Sequence, residues 1–313
     1  MKRSVNPLWA EKYRPETVND CILPKDIKAI FQKSVDNKMI MNTLVSGGPG
    51  CGKTSVMRAA VEELGADYIF VNGSLKGNID TLRYEIQEFA SSVSLKGGRK
   101  YVILDEADNL TLATQLALRS FVESYSNTGF LLTCNFPHRI EEALMSRMAH
   151  VEFRIPKEEK PKLAKEICTR VKNILDKEGV TYDMPTVIEV VKRFFPDFRK
   201  MIIELQRYSA QTDKKIDSGI LAKLQAGEVG GLLDLMKGKN FTAVRKWVGE
   251  FGENDAAIYR ALYDKASEIV TPDSVPPLVL ILAEYEYRSA FVADKEINTS
   301  ACLAQIMAGV TFK

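Results

Sequence analysis

Two kinds of site are hard to build from this sequence. Histidine is nearly absent, with only His138 and His150, and the five cysteines (Cys21, Cys51, Cys134, Cys168 and Cys302) lack C-x-x-C spacing. A zinc finger or a disulfide framework is therefore excluded, and buried reduced thiols are expected. Long apolar runs are missing as well: no stretch of about 18 apolar residues occurs, and Met1-Lys2-Arg3-Ser4 leads into Pro7 and Trp9 rather than into a hydrophobic leader. A soluble protein of the cytoplasm with no membrane partner is expected. An excess of one charge is lacking too, with 43 basic against 41 acidic side chains and a net charge of +2. Any grip on nucleic acid must then be local or summed over several copies.

What is present is ample apolar material, 45% of 313 residues, enough for sizeable cores in two or three domains. Up to about residue 155, short apolar runs alternate with amphipathic segments. That pattern predicts an α/β fold, a doubly wound parallel sheet covered by helices. Strands are expected at Thr43–Val45, Tyr68–Val71, Tyr101–Leu104, Phe130–Thr133 and Val151–Ile155, with helices at Thr54–Leu64, Ile79–Val93 and Leu112–Tyr125. After Pro156 helical signals take over, broken at Gly179, at Pro196 and around Gly227 to Gly231. Lys157–Lys177, Met184–Phe195 and Phe198–Ala210 predict a three-helix module. A second all-helical unit is expected from near Leu232, where Phe241, Val244, Trp247 and Val248 recur at helical spacing. The expected division is 1–155, 156–229 and 230–313.

The most specific signal is Gly47-Gly48-Pro49-Gly50-Cys51-Gly52-Lys53-Thr54. It matches G-x-x-x-x-G-K-[ST] in full, directly after an apolar strand and before an amphipathic helix. Glycines let the backbone curl so that its N–H groups face phosphate oxygens, and the helix N-terminus adds positive partial charge. Lys53 is expected to reach the β- and γ-phosphates of ATP, and the Thr54 hydroxyl to coordinate Mg²⁺. An ordinary glycine-rich turn is the alternative, disfavoured by the complete match and its placement.

The run Tyr101-Val102-Ile103-Leu104 ends in Asp105-Glu106-Ala107-Asp108, an apolar strand tipped with carboxylates. Asp105 can hold Mg²⁺ through water, and Glu106 can polarise an attacking water. A solvated acidic turn is the bland alternative. The letters Asp-Glu-Ala-Asp also suggest a DEAD-box helicase, but that class needs a second α/β domain which the helical second half does not offer.

Trp9-Ala10-Glu11-Lys12-Tyr13-Arg14-Pro15 closely resembles the W-x-E-K-Y-R-P signature of clamp-loader small subunits, which are AAA+ ATPases. Further matches keep that family's order. Leu112–Glu123 is similar to its A-L-R-x-x-x-E helix, Thr133-Cys134-Asn135 to sensor 1, Ser146-Arg147 to the S-R-C element, and Pro196-Asp197-Phe198-Arg199-Lys200 to sensor 2. The stretches Asp20–Pro24 and Phe195–Lys200 bring the resemblance nearest to the clamp-loader subunits of T4-like bacteriophages. The resemblance implies a nucleotide-binding core at 1–155, a helical lid at 156–229 and a collar for oligomerisation at 230–313. Ala10, Glu11, Lys12, Tyr13 and Ile22 would frame the adenine, while Gly47, Gly50, Cys51, Gly52 and Ser55 would join Lys53 and Thr54 around the phosphates. Asn135 would hold the attacking water or the γ-phosphate, and Arg199 would contact the phosphates from the lid. Arg147 would project into a neighbouring copy's nucleotide as an arginine finger; Met148 departs from the family's cysteine beside it.

The same resemblance implies a sliding clamp, primer-template DNA, further copies of the chain and a different accessory subunit as partners. ATP binding would open the clamp, and hydrolysis would close and release it. Lys76, Arg83, Lys96, Arg99, Lys100 and Arg119 are the candidate contacts to the DNA backbone, and Ser74–Val93 and Thr111–Ser126 the candidate clamp-facing segments. Competing readings are another AAA+ DNA-processing ATPase, such as a helicase loader, or a scaffold subunit that does not hydrolyse ATP. The W-x-E-K-Y-R-P stretch argues against the first, and the presence of Lys53, Glu106 and Arg147 against the second.

Overall fold

The computed structural model describes residues 8–74, 79–94, 97–226, 229–251 and 255–313. The chain divides into two compact units, Met1–Ile216 and Asp217–Lys313.

The first unit opens with helices α1 (Trp9–Lys12) and α2 (Lys25–Asp36) and is built on five parallel strands. These are β1 (Thr43–Ser46), β2 (Tyr68–Asn72), β3 (Lys100–Asp105), β4 (Thr128–Cys134) and β5 (Ala149–Glu152), in the order β2-β3-β4-β1-β5. Helices α3 (Lys53–Glu63), α4 (Ile79–Ser91), α5 (Leu112–Ser124) and the short α6 (Glu142–Met145) connect them. Alternate residues of each strand point to opposite faces, and in the central strands β1, β3 and β4 both faces are buried. Val45, Ile103 and Leu131 pack on one side with Val56 and Ala60 of α3 and Phe31 of α2. Leu44, Val102, Leu104 and Leu132 pack on the other with Ile86 of α4 and Leu118 of α5. This double burial is why the strands read as continuous apolar runs.

One expected strand is displaced. Instead of Val151–Ile155, β5 spans Ala149–Glu152, paired in register with Thr43–Ser46. Its partner β1 stops at Ser46 because Gly47 turns away with φ 153°, so Phe153 makes the last hydrogen bond, to the Ser46 carbonyl, and the apolar residues beyond it leave the sheet.

Three helices complete this unit: α7 (Lys160–Glu178), α8 (Met184–Phe194) and α9 (Phe198–Gln211). Glycine ends α7, with Gly179 left-handed at φ 67° as the C-cap, while carboxylates start the next two. Asp183 accepts from the Thr186 N–H at 3.1 Å, and Asp197 from the Lys200 N–H at 2.9 Å. A two-strand parallel ladder, β6 (Thr181–Tyr182) with β7 (Lys215–Ile216), ties the helical segment together.

The second unit is helical: α10 (Gly219–Ala226), α11 (Val229–Lys237), α12 (Phe241–Phe251), α13 (Asp255–Asp264), α14 (Ala266–Ile269), α15 (Val275–Ser289) and α16 (Lys295–Gly309). Val244, Trp247 and Val248 of α12 pack into its own core with Leu282 of α15 and Leu303 of α16. Among the described residues no helix is long and apolar enough to cross a membrane.

Candidate nucleotide site

The carboxyl ends of β1, β3 and β4 converge on the loop Gly47–Gly52. Its backbone favours glycine at Gly50, where φ is 68° and an added Cβ would sit 1.7 Å from Asp197 Oδ1 at the start of α9. The Phe198 N–H donates to the Gly50 carbonyl at 3.2 Å, so the helical segment docks directly on this loop. Lys53, the first residue of α3, is only 8% exposed. Its ammonium donates to the Gly47 and Gly48 carbonyls, each at 2.7 Å, and to Asn135 Oδ1 at 2.9 Å.

A second chain of bonds crosses the strand ends. Thr54 Oγ1 donates to Asp105 Oδ1 at 2.5 Å, Thr133 Oγ1 donates to the same oxygen at 2.6 Å, and the Glu106 N–H donates to Thr133 Oγ1 at 3.0 Å. Glu106 itself is left-handed, with φ 57° and ψ 48°, a conformation that costs a non-glycine residue about 1–2 kcal/mol. Its carboxylate accepts from the Ser74 hydroxyl and from Asn109 Nδ2 at 3.4 Å, and Asn109 Nδ2 also donates to Ser74 at 2.8 Å. Asp108 is 7% exposed, and its Oδ2 accepts the N–H groups of Asn135 at 3.1 Å and Phe136 at 3.0 Å. The Asn135 side chain is thereby aimed at Lys53 by a buried carboxylate beneath it.

These groups open into one cavity of about 180 Å³. Of the expected residues, Gly50, Cys51, Gly52, Lys53, Thr54 and Ser55 line its loop end, and Asp105, Glu106 and Asn135 the strand ends. Ala10, Glu11, Tyr13 and Ile22 line the far wall, and Arg199 the side formed by α9. Burial raises the Glu11 carboxyl, but the Arg14 hydrogen bonds at 2.6 and 2.8 Å and its charge outweigh that and hold it below the usual range. Burial pushes the Cys51 thiol up.

Two residues expected in the cavity, Gly47 and Lys12, are not brought into it, and Arg147, expected to serve a neighbouring copy, lies outside it. Gly47 contributes its carbonyl to Lys53 from outside the lining, and Lys12 points away, its ammonium 2.7 Å from Glu178. Arg147, just after α6, is turned onto its own chain: Nε donates to Glu123 Oε1 at 2.5 Å and Nη1 to the Ala143 carbonyl at 2.5 Å. Met148, beside it, is buried in the sheet core.

The basic candidates divide. Lys100 cannot contact DNA as expected: it is 2% exposed, and its ammonium caps the C-terminal end of α4 through the Phe89, Ala90 and Ser92 carbonyls. Arg99 is turned toward the sheet, donating to Asn42 Oδ1 at 3.0 Å and the Thr128 carbonyl at 3.3 Å. Arg119 is half-buried on α5. Lys76 and Lys96 lie outside the described residues, as does the side chain of Arg83.

Sequence reasoning missed the Ser74–Asn109 clasp on Glu106 and the support of Asn135 by Asp108. The strand order supplies the missing signal for Ser74: β2 lies beside β3 with Asn72 opposite Asp105, so residues just after β2 stand at the same sheet edge as the acidic turn.

Family models match most of this unit. One described as "Sliding-clamp-loader large subunit, AAA+ ATPase lid domain" matches residues 159–222, and one described as "ATPase family associated with various cellular activities (AAA)" matches residues 43–156. The sliding-clamp-loader large subunit of Enterobacteria phage T4 is 33% identical over 310 residues, spanning 97% of this chain and 96% of that protein. The replication factor C small subunit of the archaeon Sulfurisphaera tokodaii is 33% identical over 317 residues, spanning 96% and 94%. Among solved structures, the Thermotoga maritima RuvB Holliday junction branch migration motor superposes with a TM-score of 0.57 at 15% identity, covering 83% of this chain and 93% of that one, a likeness of fold alone. Identity of one residue in three, sustained over nearly the whole of both chains, establishes the kinship: the chain belongs to the sliding-clamp-loader family of AAA+ ATPases.

Proposed function

We propose that the cavity binds ATP and that the chain uses it to load a sliding clamp onto primer-template DNA, as one of several copies assembled with a different accessory subunit. The observation that carries this reading is the meeting of Lys53, Thr54, Asp105, Thr133 and Asn135 at three strand ends beside a curled glycine loop. Such an edge concentrates positive charge and N–H groups on one side and carboxylates on the other, as transfer of a phosphoryl group to water requires. Lys53 gives up its loop carbonyls for phosphate oxygens. Asn135, fixed by Asp108, orients the water or the γ-phosphate. Glu106 takes a proton from the water as its oxygen bonds to the γ-phosphorus and the bond to the ADP oxygen breaks.

The Thr54 hydroxyl and the Asp105 carboxylate form a compact oxygen pair, the donor type that Mg²⁺ prefers. Those two residues would hold the ion, which would supply charge neutralisation for the phosphates.

The far wall, at Ala10, Glu11, Tyr13 and Ile22, takes the adenine, and Arg199 reports lid closure. We read 1–155 as the nucleotide core, 156–229 as the lid and 230–313 as the collar. Arg147 acts in trans on the next copy's nucleotide. Its position outside its own cavity supports this, and so does the exposure of its partners: the pair with Glu123 adds only about 0–1 kcal/mol to the bond to the Ala143 carbonyl.

The test is Arg147→Ala. It should bind ATP normally yet lose about 10³ to 10⁵ in turnover stimulated by DNA and clamp. Normal stimulated turnover would refute the trans role.

A further inference from the structure

Both chain segments that form the far wall of the cavity are fastened to the helical segment after the sheet. Trp9 donates its N–H to Gln206 Oε1 of α9 at 2.9 Å. Arg170 of α7 donates Nη2 to the Asp20 carbonyl at 2.5 Å, and Glu159 accepts the Lys25 N–H at 3.0 Å. The tightest convergence is on Glu178. One of its oxygens, Oε1, accepts both the Tyr13 hydroxyl at 2.6 Å and the Lys12 ammonium at 2.7 Å. Lys177, the preceding residue, lies 5.8 Å from the centre of the Tyr13 ring.

The placement of Glu178 is locally unfavourable. It is the last residue of α7, where the helix dipole disfavours a negative charge. A residue that breaks a local rule is expected where a specific partner compensates, and such places are often functional. Two bonds compensate: burial raises the Glu178 carboxyl, but its bonds to Lys12 and Tyr13 outweigh burial and hold it below the usual carboxylate range. Glu178 does not line the cavity, whereas Tyr13, which it grips, does.

We propose that Glu178 is a positioning residue for the nucleotide: by clamping Lys12 and Tyr13 it makes the far wall of the cavity part of the helical lid. The lid then holds the wall against the base end of the nucleotide while the loop Gly47–Thr54 keeps the phosphate end, and the strength of this clasp sets how fast nucleotide leaves. The inference rests on reading the cavity as the nucleotide site.

The experiment is stopped-flow release of N-methylanthraniloyl-ADP from the full chain, with melting temperature as the check on folding. Loss of both bonds in Glu178→Ala should speed release roughly tenfold, on the usual size of hydrogen bonds to a charged group, reduced for the exposed Lys12. Tyr13→Phe, which removes one hydroxyl and keeps the ring, should speed it roughly threefold and add nothing in the Glu178→Ala background. Glu178→Gln keeps an acceptor for Tyr13 and should release more slowly than Glu178→Ala. A merely structural role would lower the melting temperature without this order of rates or the lack of additivity. Unchanged release from a normally melting Glu178→Ala overturns the proposal. Should that variant fail to fold, unchanged release from Tyr13→Phe overturns it. A wild-type chain that binds no nucleotide would instead overturn the reading of the cavity itself.

Discussion

Gly50→Ala is the sharpest probe of how the loop and the lid fit together. Two effects act at once. An alanine held at φ 68° costs about 1–2 kcal/mol. Its Cβ would also lie 1.7 Å from Asp197 Oδ1, 2.4 Å from Cγ and 3.1 Å from Cα, so moving the side chain alone does not clear the contact. Rotating Asp197 away gives up its cap on the Lys200 N–H, a loss of about 0.5–2 kcal/mol. Shifting the backbone instead breaks the bond from the Phe198 N–H to the Gly50 carbonyl. Together these predict about 2–4 kcal/mol of lost stability by urea denaturation, and ATP affinity by calorimetry reduced at least roughly tenfold as Arg199 moves with its helix. The variant Gly50→Ala with Asp197→Gly should be less destabilised than the two single effects combined, because the removed carboxylate no longer meets the new methyl. Wild-type stability and ATP affinity in Gly50→Ala would refute the docking of α9 on the loop.

Other outcomes follow from the same geometry. Asp108→Ala leaves the N–H groups of Asn135 and Phe136 without their buried acceptor, so unfolding should become easier by about 2–3 kcal/mol and saturated ATP turnover should fall, read by denaturation and phosphate release. Lys100→Ala should destabilise by about 1–3 kcal/mol through the uncapped end of α4 while leaving DNA affinity unchanged; a selective loss of DNA binding would contradict its buried position. Burial pushes the thiols of Cys21, Cys134 and Cys302 up to about 12, so they stay protonated at pH 8 and should resist iodoacetamide until the protein is unfolded, as mass spectrometry would register.

The centre of the sheet was legible because β1, β3 and β4 are buried on both faces. Runs such as Tyr101–Leu104 then stand out without periodicity, and β1 to β4 each begin and end within a residue or two of the apolar run that marks them, whereas no apolar run marks the short β6 and β7. Within the five-stranded sheet the exception was β5, whose end is set by the glycine that follows its neighbour β1 rather than by its own residues. Much of the site was legible as well, since the phosphate loop and the acidic strand end are contiguous motifs whose spacing carries the chemistry. What remained hidden depends on distant pairings. Nothing around Ser74 signals that it clasps Glu106, 32 residues on, and nothing around Glu178 signals Tyr13, 165 residues earlier. Charge alone also misled at Lys100, because a lysine that caps a helix end and one that meets solvent look alike in a sequence.

On the proposed function, ATP hydrolysis in this cavity answers to clamp and DNA together. The most direct measurement is the steady-state ATPase rate of the assembled protein alone, with a sliding clamp, with primer-template DNA, and with both. Stimulation by both that exceeds the combined effect of either one, and that vanishes in Lys53→Ala, is the predicted result. A rate indifferent to clamp and DNA would contradict the account.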